Sequence, residues 1–322
     1  MKFPVFDLHC DTAYAILNYE DKLVDKRLKR NQLHIDLERA AKLPGYCQFF
    51  ACFTTPLEKL PPRMTVTDLF ERELNGIINE INRNPDLIAQ AFSPEEIRQN
   101  RKKGIMSAVL SIEGPAGFGF DPALLEMLHM VGFRASTLGW NEQNVLIGSH
   151  KTGGGLTDLG REYVKECQNL GILVDVSHCS DEGFWDIIKV TNAPIIASHS
   201  NSRAVCDHSR NLTDDMFRAI CETDGVAGFN LCAPFVGKAP DLDTVCDHIF
   251  HFLELDPEGK HISLGGDLDG CDVLPDGFTG IESYPAMIQR MLDRGIGEQI
   301  AENICWNNAI GVMDRAVHHH KK

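Results

Sequence analysis

A chain of 322 residues, 43% apolar and 24% charged, has the composition of a globular protein and a length suited to an α/β barrel. A net charge of −15 and a pI near 5.3 exclude nucleic-acid backbones as partners, because phosphate binding needs clustered Lys and Arg. No stretch approaches the roughly 18 uninterrupted apolar residues of a membrane span, so no membrane partner is expected.

Met1-Lys2-Phe3-Pro4 leads directly into the first apolar run, without the apolar region of an export signal. The eleven cysteines are odd in number and follow no repeated spacing. Reduced thiols and a cytoplasmic location are therefore expected. Cys47 and Cys52, the closest pair, have no His or Cys cluster beside them that would make a structural zinc site.

Eight short apolar or β-rich runs follow one another: Pro4–His9, Tyr46–Phe53, Ile105–Ile112, Phe133–Leu138, Ile172–Ser177, Pro194–Ser198, Val226–Leu231 and Ile262–Gly266. Helical periodicity lies between them. Thr67–Ile81 carries Leu69, Phe70, Leu74, Ile77, Ile78 and Ile81 at spacings of three and four. Ser93-Pro94-Glu95-Glu96 has an N-cap Ser, Pro at the first helical position and Glu at N3. Leu156–Leu170 starts from Thr157 and stops at Gly171, and Ser180–Val190, Thr213–Glu222, Asp241–Leu253, Tyr284–Arg294 and Glu298–Val317 complete the set. Strand alternating with helix predicts parallel pairing with right-handed crossovers, and eight units predict closure into a (β/α)8 TIM barrel. An extra helix or two must fit between the second and third strands. No linker or repeat divides the chain, so residues 1–317 are expected to form one catalytic domain, with 318–322 as a C-terminal tail.

In this fold reactive groups sit at the carboxyl ends of the strands. Alternation in the first run puts Asp7, His9 and Asp11 on one face and Phe6, Leu8 and Cys10 on the other. The third strand ends Ser111-Ile112-Glu113-Gly114, the fifth Val176-Ser177-His178, the sixth Ala197-Ser198-His199 and the eighth Gly266-Asp267-Leu268-Asp269-Gly270. His9, Asp11, Glu113, His178 and His199 are more ligands than one tetrahedral zinc requires. Two metals sharing a carboxylate fit better, with Glu113 as the natural bridge. Such pairs stand roughly 3.5–4 Å apart and activate a bridging water as nucleophile. Asp267 is then left to move the proton to the leaving amine, or to act as a sixth ligand. Asp269 reads as structural, as do His129 and His208. Asp7 reads as a residue that supports the ligands rather than one of them.

The chain resembles the membrane (renal) dipeptidase family of zinc metallopeptidases, in its bacterial branch. The stretches that carry the resemblance are Phe6–Asp11, Ser111–Gly114, Gly155-Leu156-Thr157 with Gly160-Arg161, Val174–His178, Ser198–Arg203, Arg210-Asn211-Leu212 and Gly265–Gly270. The resemblance implies two Zn2+ ions, one held by His9 and Asp11, the other by His178 and His199, with Glu113 bridging. It implies Asp267 as general acid/base, Arg210 as the grip on a dipeptide's free carboxylate, and a homodimer. Guanidinium suits that grip because its planar fork pairs bidentately with a carboxylate. One departure stands out: Trp140, in Thr137-Leu138-Gly139-Trp140-Asn141, stands where the family's mammalian-type members carry a substrate-contacting His; Trp140 then either walls the substrate pocket or is a core aromatic, and His150 is a candidate stand-in. The expected reaction is hydrolysis of dipeptides, including those with a C-terminal D-residue, by a metal-bridging hydroxide. Two alternatives compete. Other amidohydrolase-type enzymes acting on cyclic amides or esters open with His-x-His and carry a carbamylated Lys on strand four, whereas this chain has His-x-Asp and no Lys between Phe133 and Trp140. A catalytically silent metal-binding barrel would be expected to have lost part of the ligand set.

Overall fold

The computed structural model describes residues 2–18, 27–54, 60, 64–115 and 121–320. Eight parallel strands form the barrel: β1 (Val5–Cys10), β2 (Tyr46–Phe53), β3 (Met106–Glu113), β4 (Phe133–Thr137), β5 (Leu173–Asp175), β6 (Ile195–Ala197), β7 (Val226–Phe229) and β8 (Ile262–Leu264). Each pairs with its successor, and β8 closes on β1 through Asp7 and Leu264, so the expected (β/α)8 barrel is the observed one. Strands β5 to β8 stop one or two residues sooner than the apolar runs do. There the backbone leaves extended geometry to aim side chains inward: His178 and Asp267 sit in the left-handed region, at φ 67° and 55°.

The helices read from the periodicity lie where it puts them, while Pro122–Val131, between β3 and β4, is a helix that it does not mark; the caps explain the starts. Ser93, Thr157, Ser180 and Thr213 each accept a hydrogen bond from a first-turn backbone N–H, while Gly171 ends its helix in the left-handed region. Between β2 and β3 lie the helices Val66–Arg83 and Pro94–Lys102, with a short strand, Ile88–Gln90, added to the edge of β3. That strand, the hairpin of Ile147–Ser149 with Gly153–Leu156, and the short helices Thr12–Asn18 and Ala233–Val236 are too brief to show a period. The expected helix Glu298–Val317 is interrupted. It runs α from Glu298 to Glu302, π from Asn303 to Asn307 and α again from Asn308 to His320, reaching into the expected tail. The interruption lays Trp306 against Phe6, with ring centroids 5.6 Å apart. Phe6, Leu8, Cys47, Phe49, Val109, Ala135, Leu173, Ile196 and Val226 fill the barrel interior, and Trp306, Ile310 and Met313 plug it from below. Each fully buried Phe in that interior is worth about 1.5–3 kcal/mol of transfer free energy. Among the described residues, no helix is long and apolar enough to cross a membrane.

The strict alternation expected along β1 does not hold. Pairing of β1 with β2 slips by one residue between Asp7 and Cys10. Phe6 and Leu8 point into the barrel, whereas Val5 and Cys10 pack in the outer core with the helices. Asp7 also points outward, where it accepts hydrogen bonds from the Tyr284 hydroxyl, Gln48 Nε2 (3.2 Å) and the Gly266 N–H (3.0 Å). The bulge turns His9 inward directly after Leu8, so Asp7 and His9 lie on opposite faces. Asp7 thus ties β1 to β2, to β8 and to the last part of the barrel wall, which agrees with a supporting role.

Candidate metal centre

The strand ends converge on Glu113, at the end of β3. Its Oε2 stands 3.5 Å from His9 Nε2, which is in turn 3.7 Å from Asp11 Oδ2. Its Oε1 stands 3.0 Å from His178 Nε2 and 3.9 Å from His199 Nε2. One carboxylate thus presents each of its oxygens to a separate pair of ligand-type side chains. Asp267 Oδ1 lies 3.8 Å from His9 Nε2, nearly as close as Asp11. His9 Nε2 and Asp11 Oδ1 are buried with no hydrogen-bond partner among the described residues.

Surrounding side chains set the protonation of this cluster. Asp175 Oδ1 accepts the N–H groups of Ser177 and Ser198, both at 2.9 Å, and Oδ2 accepts the hydroxyls of Thr137 (2.6 Å) and Ser198. Because the Ser198 hydroxyl donates to Asp175, it receives the proton of His199 Nδ1, 2.7 Å away. Asn141 Oδ1 accepts from His178 Nδ1 in the same way, at 3.3 Å. Both imidazoles are thereby fixed with their Nε2 lone pairs facing inward, and these two nitrogens are only 2.9 Å apart. Burial, together with the Arg210 charge, holds both rings well below the ordinary histidine pKa, so neither carries a second proton to place between them. Two lone pairs at that distance repel unless a cation sits against them. Burial pushes Glu113 up to about 7 against the pull of His9, and burial likewise raises Asp267. Burial lowers His9, but Glu113 and Asp11 override it and hold the ring well above its ordinary value. Three carboxylates thus share the one charged imidazole, His9, and the donor set of imidazole nitrogens and carboxylate oxygens fits borderline or hard divalent ions.

The centre opens into a cavity of about 290 Å³ whose wall is aromatic on one side, through Tyr14, Phe53, Trp140 and Phe235, and acidic at its floor, through Asp11, Glu113 and Asp267. Trp140 packs edge-on against Phe53, with centroids 4.9 Å apart. Arg210 is buried beside this space, its guanidinium 5.4 Å over the Phe235 ring and its Nε without a hydrogen-bond partner among the described residues. Asn211 donates to the carbonyls of Cys206 and Phe235, both at 2.8 Å, and so holds the loop that carries Arg210. His150 does not face the centre directly. Its Nε2 binds Asn141 Oδ1 at 2.8 Å, behind His178, and its Nδ1 binds Ser209. His208 packs on Phe235, while His129 lies on the outer helix Pro122–Val131. Asp269 accepts from the Thr12 hydroxyl and the His34 N–H, both at 2.6 Å, tying two loops together.

Sequence reasoning passed over Asn141, Asp175, Ser198, Asn230 and Gly270. Asn230 Nδ2 donates to Asp267 Oδ2 at 2.9 Å and so aims that carboxylate. A Cβ on Gly270 would come 2.0 Å from Asp11 Oδ2 and 2.6 Å from Asp267 Oδ1, so only glycine lets the two carboxylates close over this loop. Asp175 was the detectable one: a carboxylate on a strand otherwise made of Val and Leu must be paid for by donors inside the barrel.

The family model for the membrane dipeptidases, peptidase family M19, matches residues 1–322. An uncharacterised dipeptidase of Schizosaccharomyces pombe is 34% identical, over 96% of this chain and 80% of its own length. A dipeptidase of Aspergillus oryzae is 30% identical, over 88% and 70%. A metallopeptidase of Rhodobacter sphaeroides, crystallised with a phosphinate mimic of the dipeptide L-Ala-D-Ala, superposes with a TM-score of 0.87 at 25% identity, covering 98% of this chain and all of that one. The crystal structure of a dipeptidase of the same peptidase family superposes at 0.88 with 26% identity, covering 98% and 99%. With a barrel whose strand ends gather imidazoles and carboxylates around Glu113, the chain belongs to the membrane dipeptidase family of metallopeptidases, hydrolases that cleave the peptide bond of dipeptides.

Proposed function

We propose that the chain is a binuclear zinc dipeptidase in which His9 and Asp11 hold one Zn2+, His178 and His199 hold the other, and Glu113 lies between them. The observation that carries the reading is the division of Glu113: Oε2 toward His9 and Oε1 toward His178 and His199. When bound, two such ions activate water and polarise the scissile carbonyl. The protein's own residues do the rest. Arg210 pairs with the substrate's free carboxylate, for which a desolvated guanidinium with an unpartnered Nε is suited. Trp140, Phe53, Tyr14 and Phe235 enclose the side chains and keep bulk water out. Asp267, aimed by Asn230, takes the proton from the attacking water and delivers it to the leaving amine nitrogen. Asn141 and Ser198 keep His178 and His199 in the one tautomer that leaves Nε2 free. His150, which binds Asn141, positions that amide and does not replace the family's substrate-contacting His.

The Rhodobacter relative's complex with an L-Ala-D-Ala mimic supports acceptance of a C-terminal D-residue here as well. A homodimer and a cytoplasmic location complete the proposal; eleven free cysteines, eight of them buried, suit a reducing compartment. Metal analysis of the purified protein with a panel of L,L and L,D dipeptides tests the core of it. Two equivalents of zinc with turnover on at least one panel member is expected. Protein that holds no zinc, or that stays inert on every dipeptide after zinc reconstitution, would sink it.

A further inference from the structure

A second cluster on the same rim has chemistry that dipeptide hydrolysis does not use. Cys232 follows β7 and Cys271 follows β8, and their sulfurs lie within 4.8 Å of each other and of a carboxylate oxygen of Asp267. Cys271 is buried, while Cys232 lines the cavity, so the pair is reached through the substrate's own opening. Cys232 makes no cap bond to the helix Ala233–Val236 that it precedes, which leaves its sulfur available. Asn230 holds the arrangement: its Oδ1 accepts the Cys232 N–H at 2.6 Å and its Nδ2 donates to Asp267 Oδ2 at 2.9 Å.

We propose that Cys232, Cys271 and Asp267 form a further cation site, adjoining the imidazole–carboxylate centre at Asp267, that takes soft divalent ions such as cadmium and inhibits the enzyme when filled. Metal–sulfur bonds of about 2.3 Å at tetrahedral angles separate two ligand sulfurs by about 3.8 Å, within the limit observed here. Two thiolates select soft and borderline ions, whereas the imidazole–carboxylate centre offers no sulfur. On binding, each thiol releases its proton to solvent as its sulfur bonds the ion, so the two thiolates cancel the ion's two positive charges. With a lone pair committed to that ion, Asp267 no longer accepts a proton from water. The inhibition clause rests on the acid–base role proposed for Asp267; the site itself does not.

Cadmium titrated into the zinc-loaded protein tests it. The expected result is a thiolate-to-cadmium charge-transfer absorption that saturates at one equivalent, with parallel loss of dipeptide turnover. Cys232→Ser and Cys271→Ser should each lose the absorption and raise the half-inhibitory cadmium concentration by about tenfold or more. Absence of the absorption in the wild type, or its survival in both variants, overturns the site. Should either variant fail to fold, the wild type still decides: cadmium must protect Cys232 from alkylation by iodoacetamide, read by peptide mass, and undiminished alkylation overturns the proposal. Absorption with no dipeptide turnover at any cadmium level would refute the reaction and leave the site standing.

Discussion

Asp267→Asn separates the two roles open to this carboxylate, because the amide keeps its size and discards its proton chemistry. In the structure Oδ2 is occupied by Asn230 Nδ2 at 2.9 Å, while Oδ1 stands 3.8 Å from His9 Nε2. An Asn can turn its carbonyl toward Asn230 and its NH2 toward His9, so the bond that aims the side chain survives. Asn also tolerates the left-handed backbone at this position, φ 55°, so the loop keeps its course. Distance does not tell base from ligand, since Asp11 Oδ2 is 3.7 Å from the same nitrogen. A positioned proton-transfer group is worth about 10²- to 10⁴-fold in rate. At about 1.4 kcal/mol per factor of ten, the variant should lose about 3–5.5 kcal/mol of transition-state stabilisation. Steady-state kinetics on the best dipeptide, with metal content measured on the same preparation after dialysis, gives both readings. The expected result is unchanged metal content with kcat reduced by that factor. Loss of one equivalent of metal would make Asp267 a ligand, and turnover at the wild-type level would remove it from the chemistry.

Arg210→Ala should mainly raise KM for free dipeptides, since the cation it removes pairs with the substrate's carboxylate in ground and transition states alike; unchanged kinetics would take Arg210 out of the site. Gly270→Ala places a methyl 2.0 Å from Asp11 Oδ2, so the carboxylates must part and metal should be retained less tightly; competition with a chelator reads this, and wild-type retention refutes the packing argument. Glu73 is buried with Oε2 accepting the Phe53 N–H at 2.6 Å and Oε1 unpartnered, and burial holds its carboxyl well above the ordinary value of 4.5. The folded state therefore keeps a proton that the unfolded chain has released, and this group's contribution to stability falls as pH rises above the ordinary glutamate range. Glu73→Gln removes that penalty, so the variant's Tm relative to wild type should rise between about pH 5 and about pH 8; a flat or falling difference contradicts the buried, protonated state.

The candidate site positions could be picked out along the chain because a parallel barrel exposes its strand carboxyl ends on one side, and His9, Glu113, His178, His199 and Asp267 all stand at such ends. What could not be read is what depends on pairing between distant segments. The slip between Asp7 and Cys10 is a property of β1 against β2, and no alternation within β1 alone can reveal it. Asn141 and Asn230 orient side chains 37 residues away in each case, and Cys232 meets Cys271 only because β7 and β8 are neighbours.

Charge was the most misleading signal. The excess of acid, −15 in all, reads along the chain as a soluble surface, yet Asp7, Glu73, Glu113, Asp175 and Asp267 are buried. Asp7 and Asp175 are met by hydrogen-bond donors, with four bonds on Asp175 alone. Glu113 and Asp267 are held differently: Asp267 receives the Asn230 amide, and both share His9 with Asp11 as a cationic partner. Three carboxylates around one imidazole leave a deficit that the hydrogen bonds of the barrel do not meet, and in a low-dielectric interior such a deficit must be met by protons or by cations. Protons would silence the very groups that Asn230, Ser198 and Asn141 hold in place. The alternative is positive charge brought from outside, and the inward-facing Nε2 atoms of His178 and His199 stand ready to receive it.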